Sequence, residues 1–268
     1  MKTIVVTGST RGIGRGLVTA FLELGCQVVV SGRAESTVAE VVAELAAQYG
    51  AEQVYGKACD VTDLDQVQAL WDAAKARYGR VDVWINNAGV AHGQTNFWDQ
   101  DAELIASVVE TNVIGAMYGA KVALAGMLAQ GSGQLYNMEG LGSDGRRVEG
   151  LTLYGTTKAA LAYLTDALVE ETKGTPIVVG ALRPGMVVTD MLTTQYQGKP
   201  EEWEEAKRIF NILADRVETV TPWLAQKVVN NERTGVHIAW LSRFKVLGRF
   251  LTAPFGRRDL FGKSGDEG

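Results

Sequence analysis

The chain has 268 residues, long enough for one large α/β domain with a sizeable core and short for two. Hydrophobic residues make up 46% and charged residues 21%, and a formal net charge of -5 leaves no broad basic face, which excludes nucleic acid as a general partner. Cys26 and Cys59 lie beside apolar runs and read as small buried hydrophobes, not as a disulfide or a zinc site, in keeping with a reducing, cytoplasmic compartment. The first apolar run stops at Gly8, too early for a secretory signal, and no apolar stretch approaches the length of a bilayer span.

Residues 3–7, 27–31, 53–58 and 81–86 are short runs with few polar interruptions, the pattern of strands buried on both faces of a parallel sheet. Between them, residues 13–24, 35–49 and 64–78 carry apolar side chains at helical spacing and end at Gly25, Gly50 and Gly79, which stop a helix well. This alternation predicts an α/β fold with a doubly wound, Rossmann-like parallel sheet. Helices follow at 101–110 and 112–129, a strand at 134–138, a helix from Tyr154 to about Lys173, and a sixth strand at 177–182. Beyond Pro184 the rhythm breaks. Residues 185–221 are polar, with a helix expected at 201–215, and read as a substrate lid inserted after the sixth strand. A helix at 222–231, a last strand at 236–240 and a tail over 241–268 complete a single dinucleotide-binding and catalytic domain spanning 1–268. Trp203, Phe210 and Trp223 either line a large apolar pocket or form a small satellite core.

The first strand runs through Gly8, Ser9, Thr10, Arg11, Gly12, Ile13 and Gly14 straight into a helix. Such a unit aims backbone N–H groups and the positive helix end at a pyrophosphate, and glycines let the phosphate approach the backbone. The second strand ends at Arg33, where an NAD site places an acid for the ribose 2′-hydroxyl; with Arg11 in the loop, two cations favour the 2′-phosphate of NADPH. Asp60 and Val61 close the third strand, and Asn87, Ala88 and Gly89 close the fourth, at the strand ends where a doubly wound sheet builds its ligand crevice. Asp60 either accepts from the adenine amino group or makes a cap or turn.

Tyr154 and Lys158 stand four residues apart at the start of a helix, so phenol and ammonium share one face. A free phenol has a pKa of about 10, and a neighbouring ammonium favours the phenolate, which equips the pair to move a proton. With TGSTRGIG at 7–14, NNAG at 86–89, TNVIG at 111–115, YGTTK at 154–158 and RPGMVVT at 183–189, in that order, the chain resembles the short-chain dehydrogenase/reductase family over most of its length. The resemblance implies that Tyr154 carries the proton and that Lys158 also meets the nicotinamide ribose. It implies that Asn112 holds a helix kink and a relay water, and that Pro184, Gly185, Val187 and Thr189 meet the nicotinamide. No metal is implied, and a homodimer or homotetramer is expected, packed through the helices near Asn112 and Tyr154.

One stretch departs from the family pattern. A serine usually precedes the tyrosine and donates to the substrate oxygen, but Glu139 and Gly140 stand where a serine pair normally follows the asparagine. Ser143, eleven residues before Tyr154, is the nearest hydroxyl and either takes that role or merely turns the chain. Glu139 is either a helper acid in the pocket or a surface turn residue. The segment NMEGLGSDG followed by LTLYGTTKAAL resembles the chlorophyll b reductases within the family, which implies NADPH-dependent reduction of the formyl group of chlorophyll(ide) b to its 7-hydroxymethyl form. The alternatives are a general carbonyl reductase or alcohol dehydrogenase acting on a lipid, sterol or acyl substrate, and a non-catalytic NADPH-binding scaffold. In the tail, Phe244, Val246, Leu247, Phe250, Leu251 and Phe255 alternate with Arg243, Lys245, Arg249, Arg257 and Arg258. That tail either packs on the body, the favoured reading, or meets a membrane surface peripherally.

Overall fold

β-branched residues dominate the first strands, and each is followed by a segment whose apolar side chains fall on one helical face. The computed structural model describes residues 1–193, 196, 198–253 and 258–261. Its strands are β1 (Thr3–Val6), β2 (Gln27–Gly32), β3 (Val54–Ala58), β4 (Val83–Asn86), β5 (Gly133–Met138), β6 (Ile177–Arg183), β7 (Val187–Val188), β8 (Asp215–Arg216) and β9 (Val236–Ala239). Seven of them form one parallel sheet in the order β3-β2-β1-β4-β5-β6-β9, while β7 and β8 pair separately. The helices are α1 (Gly12–Glu23), α2 (Glu35–Tyr49), α3 (Leu64–Tyr78), α4 (Ala102–Val109), α5 (Gly115–Gln130), α6 (Thr152–Glu171), α7 (Asp190–Thr193), α8 (Pro200–Leu213), α9 (Val217–Val229) and α10 (Arg243–Thr252).

The central strands are buried on both faces, as their largely apolar runs require, while the edge strands β3 and β9 are partly exposed. Ile4 and Val6 of β1 join Leu17 and Phe21 of α1, Leu45 of α2 and Leu224 of α9 on one side. Val5 turns to the other side, toward Leu70 and Trp71 of α3 and Ala123 and Met127 of α5. Each large apolar side chain fully buried in this way contributes about 1.5–3 kcal/mol. Asp63 caps α3 by accepting from the backbone N–H groups of Asp65 and Gln66, and Gly79 ends it in the left-handed conformation.

The doubly wound sheet is as expected, and α2 and α3 have the expected bounds. Several local features differ. The two helices expected on either side of residue 111 are one continuous helix, joined by a π-helical turn at Glu110–Ile114. No proline stands there to break it, and a single wide turn absorbs the irregularity. The expectation that no segment reaches bilayer length is corrected: Ala102–Gln130 is long and apolar enough by length and composition. Its Ala120, Ala123 and Met127 nevertheless pack into the core, the behaviour of an internal helix. The helix expected from Pro222 starts at Val217 and carries the proline inside it. Residues 217–221 therefore belong to the body, with Val220 and Thr221 buried beneath α1.

Arg249 and Arg258 both pair with the buried Asp215, and Lys245 lies 3.1 Å above the Trp240 ring. Phe261 stacks edge-on against Trp203 at 4.8 Å. The described part of the tail packs on the body, although Phe244, Leu247 and Leu251 of α10 stay exposed. Phe255 and Arg257 lie outside the described residues.

Candidate active site

Strand order reverses between β1 and β4, and a doubly wound sheet opens its ligand crevice at the carboxyl ends of such strands. A cleft of about 1700 Å³ lies there, floored by the glycine loop and the strand ends and walled by α8 and α10.

Its first wall is built from backbone. Gly8 has φ +61, and a Cβ on it would lie 2.8 Å from the Ala88 Cα; one on Gly14 would lie 2.4 Å from the Gly8 carbonyl oxygen. Asn87 stitches the end of β4 to this loop, its Nδ2 donating to the carbonyls of Thr7 at 2.8 Å and Gly8 at 3.0 Å. The N–H groups of Asn87 and Ala88 both donate to the Thr7 hydroxyl. Arg11 occupies the N-cap of α1 without a side-chain capping bond, so the first-turn N–H groups of Gly12, Ile13 and Gly14 are left to the cleft. Thr189 closes over the loop, its methyl 3.5 Å from where a Gly12 Cβ would be.

Gly8, Thr10, Arg11, Gly12, Ile13 and Gly14 line the cleft, as expected. So do Arg33, Asp60, Val61, Asn87, Ala88 and Gly89, and on the far wall Pro184, Gly185, Val187 and Thr189. Ser9 does not, which corrects its expected cofactor contact. It is fully buried, its hydroxyl donating to Val6 O at 2.7 Å and accepting from the Ser31 N–H at 2.9 Å. Ser9 therefore ties the loop to β2. Arg11 and Arg33 are exposed, and neither has an acid within 4 Å among the described residues. Asp60 makes a turn, one oxygen accepting from the N–H and hydroxyl of Thr62, and still borders the cleft. This cradle fits a dinucleotide: the glycines leave space that a Cβ would fill, a helix N-terminus faces it, and two arginines without an acid within 4 Å among the described residues border it, Arg11 at the N-cap of α1 and Arg33 at the end of β2.

The opposite wall carries the titratable groups. Tyr154 and Lys158 project from the first turns of α6, and the Lys158 ammonium lies 5.6 Å from the Tyr154 ring centroid. Lys158 is 5% exposed and donates to the Met138 carbonyl at 3.0 Å. Burial pushes the Tyr154 phenol up to about 12 and the Lys158 ammonium down to about 8, the latter partly offset by the charge of Glu139. Gly140 lets the phenol come close, since a Cβ there would lie 2.8 Å from its oxygen. Asn112 lies in the π-helical turn; its Nδ2 donates to Val90 O at 2.9 Å and to the Thr157 hydroxyl at 3.1 Å, and its Oδ1 accepts from the Val90 N–H. Ser143 borders the cleft, its hydroxyl donating to Gly140 O at 2.7 Å in a turn.

One feature was not foreseen. His92 is buried and accepts the Tyr154 N–H on Nε2 at 3.2 Å, which leaves Nδ1 to donate to Gly93 O and so orients the start of α6. A lone histidine after the NNAG run gave no signal. Glu139 is not a surface residue: it is buried and paired with Arg183 from the end of β6. Of the aromatics, Phe210 borders the cleft, whereas Trp203 packs on Phe210 and Phe261, and Trp223 packs on Trp240 at 5.4 Å.

A doubly wound sheet with a glycine cradle on one wall of its crevice and a buried tyrosine–lysine pair on the other defines a dinucleotide-dependent oxidoreductase. The chain belongs to the short chain dehydrogenase family, whose family model matches residues 2–200. It is 33% identical over 265 residues to the chlorophyll(ide) b reductase NOL of Oryza sativa subsp. japonica, covering 95% of this chain and 76% of that protein. Identity is 36% over 230 residues with the NOL protein of Arabidopsis thaliana, covering 84% of this chain and 64% of that one. With the probable chlorophyll(ide) b reductase NYC1 of rice, the match is 31% identical and spans 98% of this chain but 54% of the relative. Among solved structures, an actinorhodin polyketide ketoreductase variant with NADPH is 29% identical at a TM-score of 0.77, covering 90% of this chain and 96% of the other. A serine dehydrogenase complexed with NADP+ shares the fold at the same TM-score and 23% identity, covering 88% of this chain and 93% of that one.

Proposed function

We propose that the chain is an NADPH-dependent reductase of a formyl group on a bulky macrocycle, chlorophyll(ide) b or a close analogue. The observation that carries this reading is the convergence of Tyr154 and Lys158 on the cleft that the glycine loop floors. At about 1700 Å³ the cleft exceeds the ~300–1,000 Å³ of an ordinary small-molecule site, which leaves room for a large substrate beside the dinucleotide. Met186, Met191, Ile209, Phe210, Val246 and Phe250 give its outer wall an apolar stretch, beside the charged Glu202, Glu205 and Arg243. The curated relatives named above supply the substrate class.

In this reading Gly8, Thr10, Gly12, Ile13 and Gly14 take the pyrophosphate, Arg11 and Arg33 the 2′-phosphate, and Asp60 and Val61 the adenine side. Asn87, Ala88, Gly89, Pro184, Gly185, Val187 and Thr189 frame the nicotinamide end. The bound cofactor supplies a hydride to the carbonyl carbon. Tyr154 gives the proton from its hydroxyl to the carbonyl oxygen, and Lys158 stabilises the phenolate that remains. Asn112 holds the π-turn that sets α6 against the Val90 backbone. Ser143 donates to the substrate oxygen only if its hydroxyl turns from Gly140 O. Met117 and Leu128 of α5 and Tyr163 of α6 are exposed, and we assign these helices to a homo-oligomer interface.

The test is NADPH consumption by the purified protein with chlorophyllide b, set beside small ketones and aliphatic aldehydes. Turnover of the formyl pigment at least tenfold above the small carbonyls supports the reading. Turnover of small carbonyls alone makes the chain a general carbonyl reductase and removes the pigment.

A further inference from the structure

Glu139 follows directly on Met138, whose carbonyl receives the Lys158 ammonium, and stands where the family pattern has a serine. It is 2% exposed. A lone carboxylate so far from water would be strongly penalised, yet Arg183 pairs with Oε2. The other oxygen, Oε1, is buried without a hydrogen-bond partner and faces His237 Nδ1 of β9 at 3.6 Å. His237 in turn lies 3.3 Å from Asp166 on the outer face of α6. The groups facing this carboxylate are thus Arg183 from β6 and His237 from β9 with Asp166 of α6 behind it, while Lys158 lies against the residues on either side of Glu139: its ammonium donates to Met138 O at 3.0 Å, and its methylenes lie 3.5 Å from where a Gly140 Cβ would be. Lys158 itself has no acid within 4 Å among the described residues, and Glu139 is the acid whose field reaches it. An ammonium buried to this degree needs an anion near it to keep its proton.

We propose that Glu139 is a positioning residue of the reaction: its buried carboxylate holds Lys158 in the cationic form and thereby sets the pH above which reduction fails. The family's serine pair falls at Glu139 and Gly140; here the first of the two places serves the lysine from behind. Arg183 anchors the carboxylate through Oε2, and Oε1 is left without a hydrogen bond. This rests on the reductase reading above, but the link from Glu139 to Lys158 is testable without it.

The experiment uses the full chain and three variants, Glu139→Gln, Glu139→Ser and Glu139→Asp. Two readouts are followed from neutral to alkaline pH. One is kcat for carbonyl reduction. The other is competitive acetylation of Lys158 with acetic anhydride, read by mass spectrometry on protein without substrate. In Glu139→Gln and Glu139→Ser, the alkaline limb of kcat and the Lys158 labelling midpoint move down together by about one pH unit. Glu139→Asp, which keeps the charge, restores both toward wild type. A folded Gln or Ser variant with an unmoved labelling midpoint overturns the proposal and leaves Glu139 as a brace for Arg183, a role the Gln amide oxygen can also fill. Should Gln fail to fold, Ser, the family's own residue here, decides. Wild-type protein that reduces no carbonyl, with a labelling midpoint that still moves in the variants, sinks the reductase reading and keeps the coupling.

Discussion

At Tyr154 the same burial acts in opposite senses on two neighbours. It pushes the phenol up to about 12, so the group is protonated and able to donate at neutral pH, and it lowers the Lys158 ammonium to about 8. Reduction needs the phenol protonated and the lysine charged. The kcat/KM for reduction is therefore expected to be flat near neutrality and to fall as pH rises through about 8, where Lys158 loses its proton. A stopped-flow pH profile checks this, and a rate that climbs through that region instead would contradict it. Arg33 carries a second expectation. A charge-assisted hydrogen bond to a 2′-phosphate is worth ~1.5–3 kcal/mol, so Arg33→Ala should cut the preference for NADPH over NADH by about tenfold or more, with KM for NADH nearly unchanged. An unaltered ratio from steady-state kinetics would remove Arg33 from the cofactor site. At this scale the sequence showed the Tyr154–Lys158 pair and the glycines because their spacing is local. It did not show that Ser9 turns inward or that His92 meets the start of α6, because those contacts join loops far apart in the chain.

Elements with a strong period were readable almost to the residue. α2 and α3 each have a clear apolar face and a glycine stop, and the β-branched strands leave no helical alternative. The π-helical turn at Asn112 left no mark in the periodicity, and only the family resemblance implied a kink there, because the turn depends on side-chain bonds to the Val90 backbone and to Thr157. β7 and β8, two residues each, are too short to carry a pattern. Their pairing matters through Asp215, which holds Trp240 Nε1 at 2.6 Å, Arg249 at 2.7 Å and Arg258 at 2.8 Å, and so joins the outer segment, β9 and the tail. Burial alone would raise its carboxyl, but donation from Trp240 and the two guanidinium groups outweighs that and holds it below the usual range. A depressed folded-state value stabilises fully above the unfolded carboxylate pKa of ~4 and is lost as pH falls through the lower folded value. Removing one partner of a buried ion pair costs ~3–5 kcal/mol, and the partial exposure of Arg258 reduces this. Asp215→Asn should therefore lose about 2 kcal/mol at neutral pH, or about 4–8 °C in Tm, with the gap to wild type closing in acid. Calorimetry at neutral and acid pH reads it; an equal gap at both would mean that packing, not charge, fastens the tail.

Across the whole molecule, the reversal of strand order between β1 and β4 brings the cradle and the chemical pair to the two walls of one crevice. That much was implied by the alternation of strands and helices, since each strand end is a place where a loop can carry function. The size of the cleft was not, because it arises where α8 and α10 fold back over it, and the alternation of apolar and basic residues in the tail fits both packing on the body, the favoured reading, and a membrane surface. The account as a whole stands on hydride delivery to a carbonyl carbon with the proton drawn from Tyr154. The most direct measurement incubates the protein with chlorophyllide b and NADPH carrying deuterium on the transferable position, then weighs the product by mass spectrometry. Wild type should yield a hydroxymethyl product with one deuterium, and Tyr154→Phe should yield almost none while binding NADPH as tightly as before. A product without deuterium, or undiminished turnover in Tyr154→Phe, would contradict the account.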